Sequence, residues 1–275
     1  MKNRLNDFTR TVVVMGVTLL LIVFSGTRTT AQLLFPETFV VIFDTTRNFK
    51  GSISPSLEVK TPKDLYIEIT NRADMAYKFK NHALVLANKF EFTKSGDETI
   101  LSGGFLYAKF KTFYDNPLVV EHYLQYQWAE ARGMERKYAF GSNLRYKIYK
   151  NIRSGAFAGL GLFYESEKWN YQAVPDERTP GNTNPLEVDY IKLNAYLSVK
   201  QTISDNIKGE AAFYLQDNFE DFLKTPRIGG SAGLSFAITK NVAFGVQFRM
   251  LYDYEPIVPV DKLWFSTFTE LQVTF

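Results

Sequence analysis

Leu263-Trp-Phe-Ser-Thr-Phe-Thr-Glu-Leu-Gln-Val-Thr-Phe275 alternates without a break. Leu263, Phe265, Thr267, Thr269, Leu271, Val273 and Phe275 share one face, while Trp264, Ser266, Phe268, Glu270, Gln272 and Thr274 share the other. A period of two is the signature of a β-strand with unlike faces. The segment before it repeats the rule: Val242, Phe244, Val246, Phe248, Met250, Tyr252 and Tyr254 oppose Ala243, Gly245, Gln247, Arg249, Leu251 and Asp253. At the other end of the chain Phe49, Ile53, Leu57 and Val59 oppose Lys50, Ser52, Ser54, Glu58 and Lys60, with Pro55 as a local irregularity because it cannot donate to a ladder.

Twelve such segments run from 48 to 275, near 48–60, 64–78, 82–94, 98–113, 117–131, 134–149, 153–170, 186–202, 206–218, 226–239, 242–254 and 262–275. Most exceed the five or six residues usual for a soluble strand and suit a tilted bilayer crossing of about 9–11 residues. Their connections are of two kinds. Lys80-Asn81, Asp115-Asn116, Lys150-Asn151, Asp205-Asn206 and Lys240-Asn241 are tight turns, with the asparagines 35, 35, 55 and 35 residues apart. The single long interval holds the loop Asn170 to Glu187. The other connections are more varied. Short turns at one rim and longer loops at the other describe a membrane β-barrel, with apolar faces toward lipid and polar faces toward the lumen. A secreted sandwich, with the apolar faces turned inward, is the alternative. The expected fold is therefore all-β, a twelve-stranded antiparallel transmembrane barrel with periplasmic turns and extracellular loops. An even strand number puts both barrel ends at the turn rim.

Residues 1–31 read as a secretory signal peptide: Lys2, Arg4 and Arg10 precede the apolar run Val12 to Phe24, and Thr29-Thr30-Ala31 offers a small-residue cleavage site. Residues 32–46, with the run Phe39-Val-Val-Ile-Phe43, form a pre-barrel segment that is either a lumenal plug or a periplasmic contact, and the barrel occupies 47–275. Without the leader, 32 basic and 29 acidic residues become 28 of each, so no basic excess supports nucleic-acid binding. The chain has no cysteine, which excludes disulfides, thiolate metal sites and a cysteine nucleophile. Its 24 Phe, 16 Tyr and 3 Trp suit aromatic girdles.

The parity of the strands assigns lumen-lining charges: Glu58, Glu68, Arg72, Lys89, Glu91, Lys109, Lys111, Glu121, Arg145, Lys147, Lys192, Lys208, Glu210, Arg249, Asp253 and Glu270, with Lys60 and Lys200. Charges in a narrow barrel must be paired or hydrated, so the lumen is either an ion-pair core or a wet pore with a mild anion preference. Phe275, the aromatic end of the last strand, is the expected assembly signal. Catalysis has little support. His82 falls at a turn; His122 falls on the lipid face, with Ser142 or Leu144 across the next strand and Asn143 pointing the wrong way to orient it. Asp176, Glu177, Glu187 and Asp189 match no calcium loop, and Gly159-x-Gly161 lies within a strand and is no nucleotide site. No cofactor and no metal are expected.

Several stretches resemble the salt-induced outer-membrane barrels, a family of unknown function in Gram-negative bacteria: Trp128-Ala-Glu-Ala-Arg-Gly-Met-Glu-Arg-Lys-Tyr138 with Phe140 to Lys147, Gly159-Leu-Gly-Leu-Phe-Tyr-Glu165, and Tyr252-Asp-Tyr-Glu-Pro256 with Leu271 to Phe275. The chain departs from that pattern near Asn48–Ser56, where Pro55 interrupts the first strand. The resemblance implies a barrel fold, outer-membrane location and a link to osmotic stress, and carries no site residues. The expected role is a small pore or an envelope structural protein, in contact with membrane lipid, lipopolysaccharide and the barrel assembly machinery, with a small solute or ion as cargo. A surface-binding barrel using the 170–187 loop and a barrel-embedded lipid hydrolase are the competing classes.

Overall fold

The computed structural model describes residues 48–60 and 65–275; the expected signal peptide at 1–31 and the expected pre-barrel segment at 32–46 lie outside the described residues. Twelve strands follow one another: β1 (Phe49–Lys60), β2 (Tyr66–Phe79), β3 (His82–Ser95), β4 (Glu98–Thr112), β5 (Leu118–Ala129), β6 (Met134–Lys150), β7 (Ser154–Trp169), β8 (Leu186–Ser204), β9 (Ile207–Asn218), β10 (Arg227–Ala237), β11 (Val242–Asp253) and β12 (Leu263–Thr274). Each pairs antiparallel with its sequence neighbours, and β1 pairs with β12 to close the barrel. The seam is short. Its register runs through Ser52–Thr274 and Ile53–Val273, and Gly51 and Phe275 exchange two backbone hydrogen bonds of 3.1 Å.

The two faces settle which solvent surrounds the barrel. Leu106, Leu124, Phe140, Leu160, Leu197 and Phe265 point outward, each with about half or more of its surface exposed. Leaving such side chains in water forgoes about 1.5–3 kcal/mol apiece, so a belt of them is stable only against lipid. The inward rows are polar: Glu121, Glu165 and Glu167 are fully buried. A sandwich would have the opposite arrangement.

Turn chemistry fixes the lower rim. Lys80 takes a positive φ of 51°. The Asn151 side chain accepts the amides of Arg153 and Ser154, and Asn81 accepts that of Asp115. At the loop rim a 3-10 turn, Glu130–Arg132, joins β5 to β6 and ends at Gly133, whose φ is 78°. A second, Asp176–Arg178, lies in the long loop.

Candidate functional site: the barrel lumen and its mouth

Inward parity brings together four layers. Nearest the turn rim, Glu121 of β5 is the hub. Its carboxylate meets Lys109 at 3.4 Å, Lys111 at 3.0 Å and Arg145 at 3.3 Å. Tyr196, three strands away on β8, donates its hydroxyl to the same carboxylate at 2.8 Å. That bond bridges a quarter of the barrel wall through the interior. Above it lies an aromatic layer of Phe105, Tyr107, Tyr123 and Phe163, packed with Ala87 and Ala139.

The third layer is a closed charge set. Glu165 and Glu167 of β7, with Asp253 of β11, face Lys137, Lys192 and Arg227, three carboxylates against three cations. Lys192 meets Glu165 at 2.6 Å, Lys137 contacts both glutamates, and Arg227 reaches both at 3.1 Å and Asp253 at 3.0 Å. Trp169 donates its indole N–H to Glu167 at 2.8 Å. Arg227 stands three strands from Glu165, so this layer bridges a quarter of the barrel's circumference through the interior. Around β2, β3 and β12 Arg72 pairs with Asp74 and Glu270 and Lys89 with Glu91, while Lys200 of β8 pairs with Glu210 of β9.

The fourth layer is apolar and closes the mouth. Val258 and Val260, from the connection between β11 and β12, and Val174, from the 170–185 loop, pack with Trp169, Trp264, Leu251, Met134 and Ala129. Arg178 and Asp261, 2.8 Å apart, clasp the two loops together outside. Arg132 lies within this cap, its guanidinium 4.8 Å from the ring of Trp264 and 5.6 Å from that of Trp169. Burial, with Arg227 nearby, pushes its pKa down to about 10.

The residues assigned to the lumen by parity fall into three groups. Arg72, Glu91, Lys109, Glu121, Arg145, Lys192, Arg249 and Asp253 are buried. Glu68, Lys89, Lys111, Lys147, Glu210 and Glu270 are half-buried, as is Lys200. Glu58 and Lys208 are exposed; one lies two residues from the loop end of its strand and the other directly after the Asp205–Asn206 turn, where the barrel wall no longer encloses them. Sequence reasoning missed Asp74, which shares the parity of Arg72, and Lys137, which shares that of Arg145; it also missed Glu165 and Glu167 of β7 and Arg227 of β10, strands on which it placed no lumen-lining charge, and Arg132, which lies in a connection where no period applies.

Outside the lumen, His122 and Ser142 are register partners on the lipid face, with Nδ1 and Oγ 2.7 Å apart. Phe110 and Leu162 flank the pair across the neighbouring registers, and Asn143 points into the lumen, bonded to Asn194. Of the acidic loop residues, Glu187 pairs with Arg136 at 2.6 Å and Asp189 accepts the Tyr164 hydroxyl at 2.7 Å. Among the described residues no group of three metal-ligating side chains forms.

The fold and its interior define a closed twelve-stranded membrane barrel with a charge-filled lumen. The chain belongs to the family described as "Protein of unknown function, DUF481", which it matches over residues 68–269. No curated protein matches it. Among solved structures it is similar to the NanC porin, at 10% identity and a TM-score of 0.42 over 82% of this chain and 97% of that one. It is similar also to a bacterial polysaccharide outer membrane secretin, at 9% identity and a TM-score of 0.41 over 84% and 99%, and to an anion-selective porin from Comamonas acidovorans, at 7% and 0.34 over 82% and 98%. Superpositions this loose carry nothing over to this chain.

Proposed function

We propose that the protein is an outer-membrane barrel with a sealed lumen, an envelope structural protein rather than an open diffusion pore. The observation that carries this reading is the complete burial of Glu121, Glu165 and Glu167 beneath partners that reach them from strands up to three positions away. In a wet pore such carboxylates would be hydrated; here protein cations and hydroxyls take the place of water. Breaking a buried pair by removing one partner costs about 3–5 kcal/mol, so these layers do not open by thermal fluctuation alone. The test is single-channel conductance of the refolded chain from Gln32 onward in a planar bilayer. The expected record is silent, and discrete openings would overturn the sealed reading.

A second reading, a pore with a narrow side route, is favoured by the wall of β10 and β11. Its inward row is small: Gly229, Ser231, Gly233 and Ser235, then Ala243 and Gly245. A polar cavity of about 450 Å³ opens at the turn rim along this wall, and one of about 300 Å³ lies at the loop rim beside Lys192, Arg227 and Asp253. If openings occur, Gly233→Phe is expected to abolish them. The hydrogen-bonded His122–Ser142 pair keeps a lipid hydrolase testable: phospholipase activity lost in Ser142→Ala would establish it.

Outer-membrane placement is supported by the apolar belt and by the leader. It is tested by cell fractionation and by an N-terminus at Gln32 in the extracted protein. Contact with lipopolysaccharide and the barrel assembly machinery follows from that placement. The osmotic-stress link rests on the family resemblance and is tested by growth of a deletion strain in high salt.

A further inference from the structure

Arg132 is 2% exposed and sits at the centre of the mouth, between an indole from the end of β7 and one from β12 on the far wall. Among the described residues it forms no ion pair, and its Nε has no hydrogen-bond partner. The indole N–H of Trp264 is likewise buried without an acceptor. Buried polar groups are ordinarily satisfied, and these are two of the eleven buried side-chain polar atoms without a hydrogen-bond partner among the described residues, distinguished by lying together at the mouth with the guanidinium over the indole. Arg227 makes the contrast: one layer deeper, it meets Glu165, Glu167 and Asp253. Asp253 and Glu167 act on Arg132 only from a distance. Stacking on the two rings offsets part of the cost of burying the guanidinium and does nothing for its in-plane N–H groups.

We infer that Arg132 and Trp264 form a receptor for a small oxyanion, a carboxylate or phosphate group, that enters from the loop side of the barrel. A guanidinium presents coplanar N–H donors in a fork that matches two oxygens of either anion. The Trp264 N–H adds a third donor, and the Trp169 ring walls the site. Entry requires the Val258–Val260 segment to lift, and that segment is held to the long loop on its outer side by the exposed Arg178–Asp261 pair. The site needs access to the mouth only, not passage through the lumen, so it goes beyond the sealed-barrel reading and does not depend on it. The oxyanion is either a free solute or a phosphate of lipopolysaccharide.

Both indoles are fluorescent reporters, and the third tryptophan, Trp128, stacks with Tyr126 on the lipid side of β5. The experiment uses the refolded chain with Trp128→Phe in lipopolysaccharide-free detergent, titrated with sodium phosphate and sodium acetate against sodium chloride at constant ionic strength. A saturable change with phosphate or acetate, weakened at least tenfold by Arg132→Gln, is expected for a free solute. A change that develops only on adding lipopolysaccharide, and that Arg132→Gln abolishes, assigns the site to the lipid phosphate. No saturable change in either arm, or an equal response in Arg132→Gln, overturns the proposal. Folding of each variant is checked by heat-modifiable migration in SDS gels. If Arg132→Gln does not fold, Arg132→Lys keeps the charge and loses the fork; unchanged affinity in that variant overturns the proposal equally.

Discussion

A single carboxylate organises the lower lumen. Glu121 is surrounded by Lys109, Lys111 and Arg145 and by the Tyr196 hydroxyl. Glu121→Ala leaves three cations facing one another with no carboxylate between them. The loss is expected to be about 3–5 kcal/mol, read as a lower urea midpoint of unfolding from detergent micelles; a midpoint within error of the parent would remove Glu121 from this role. Gly159, the register partner of Tyr196 on β7, tests the same layer from beneath that ring. A Cβ placed there would stand 2.0 Å from the Tyr196 ring, so Gly159→Ala must swing that ring away from Glu121. The expectation is strong coupling: once Tyr196→Phe has removed the hydroxyl, Gly159→Ala should cost measurably less than in the parent, and strictly additive costs would show that the ring yields without losing its bond.

At the scale of the strands, most of the fold was legible because lipid and lumen select opposite residue types on alternate positions. In β11 the outward Phe244, Val246 and Phe248 and the inward Gly245, Gln247 and Arg249 could be sorted by type alone, and the observed bounds fall within about two residues of those the alternation gives. The contrast weakens in β7. There Gly155, Phe157, Gly159, Gly161 and Phe163 face inward against Ala156, Ala158, Leu160 and Leu162, so neither row looks polar until Glu165 and Glu167, and the sequence reading left both out of the lumen. Beyond the strand ends the period is lost. Arg132, Val258 and Val260 carry no sign in the sequence that they fold into the mouth, since a short apolar run in a loop reads the same whether buried or exposed. The seam was only partly legible. Phe275 stood out as a terminal aromatic, and its ring in fact lies over Gly51 and 6.1 Å from Phe49. Its backbone supplies two of the hydrogen bonds that join β12 to β1. Deleting Phe275 is expected to lower the folded, heat-modifiable fraction several-fold after refolding into detergent, because an open edge in lipid leaves backbone groups unsatisfied. An undiminished fraction would show that Ser52–Thr274 and Ile53–Val273 suffice.

The whole molecule is a barrel turned inside out relative to a soluble one, and its two surfaces should respond to the same substitution differently. Leu124→Arg on the lipid face, midway along β5, is expected to cost about 2–4 kcal/mol, whereas the buried Lys109, next to Leu124's register partner Ala108, is tolerated because Glu121 faces it. The same logic orders the events needed to open the lumen. The outer part of the cap is the loop residues Val174, Val258 and Val260, while the charge layers rest on β-ladders, so the loops can lift with the ladders intact even though Trp169 touches both layers. Val258→Asp with Val260→Asp places two carboxylates among Trp169, Trp264 and Leu251 and is expected to release the cap. The Glu165–Glu167 layer beneath stays balanced, and planar-bilayer recordings of that variant should remain silent. Adding Glu165→Gln and Glu167→Gln leaves Lys137, Lys192 and Arg227 with Asp253 as their remaining acidic partner in the layer, an excess of positive charge that must draw in water and counter-ions. Discrete openings that favour anions over cations are then expected, in a chain that still migrates as a folded barrel. Openings from the cap variant alone would make the mouth the only gate, and the charge layers would then be lining of a conduit instead of its seal.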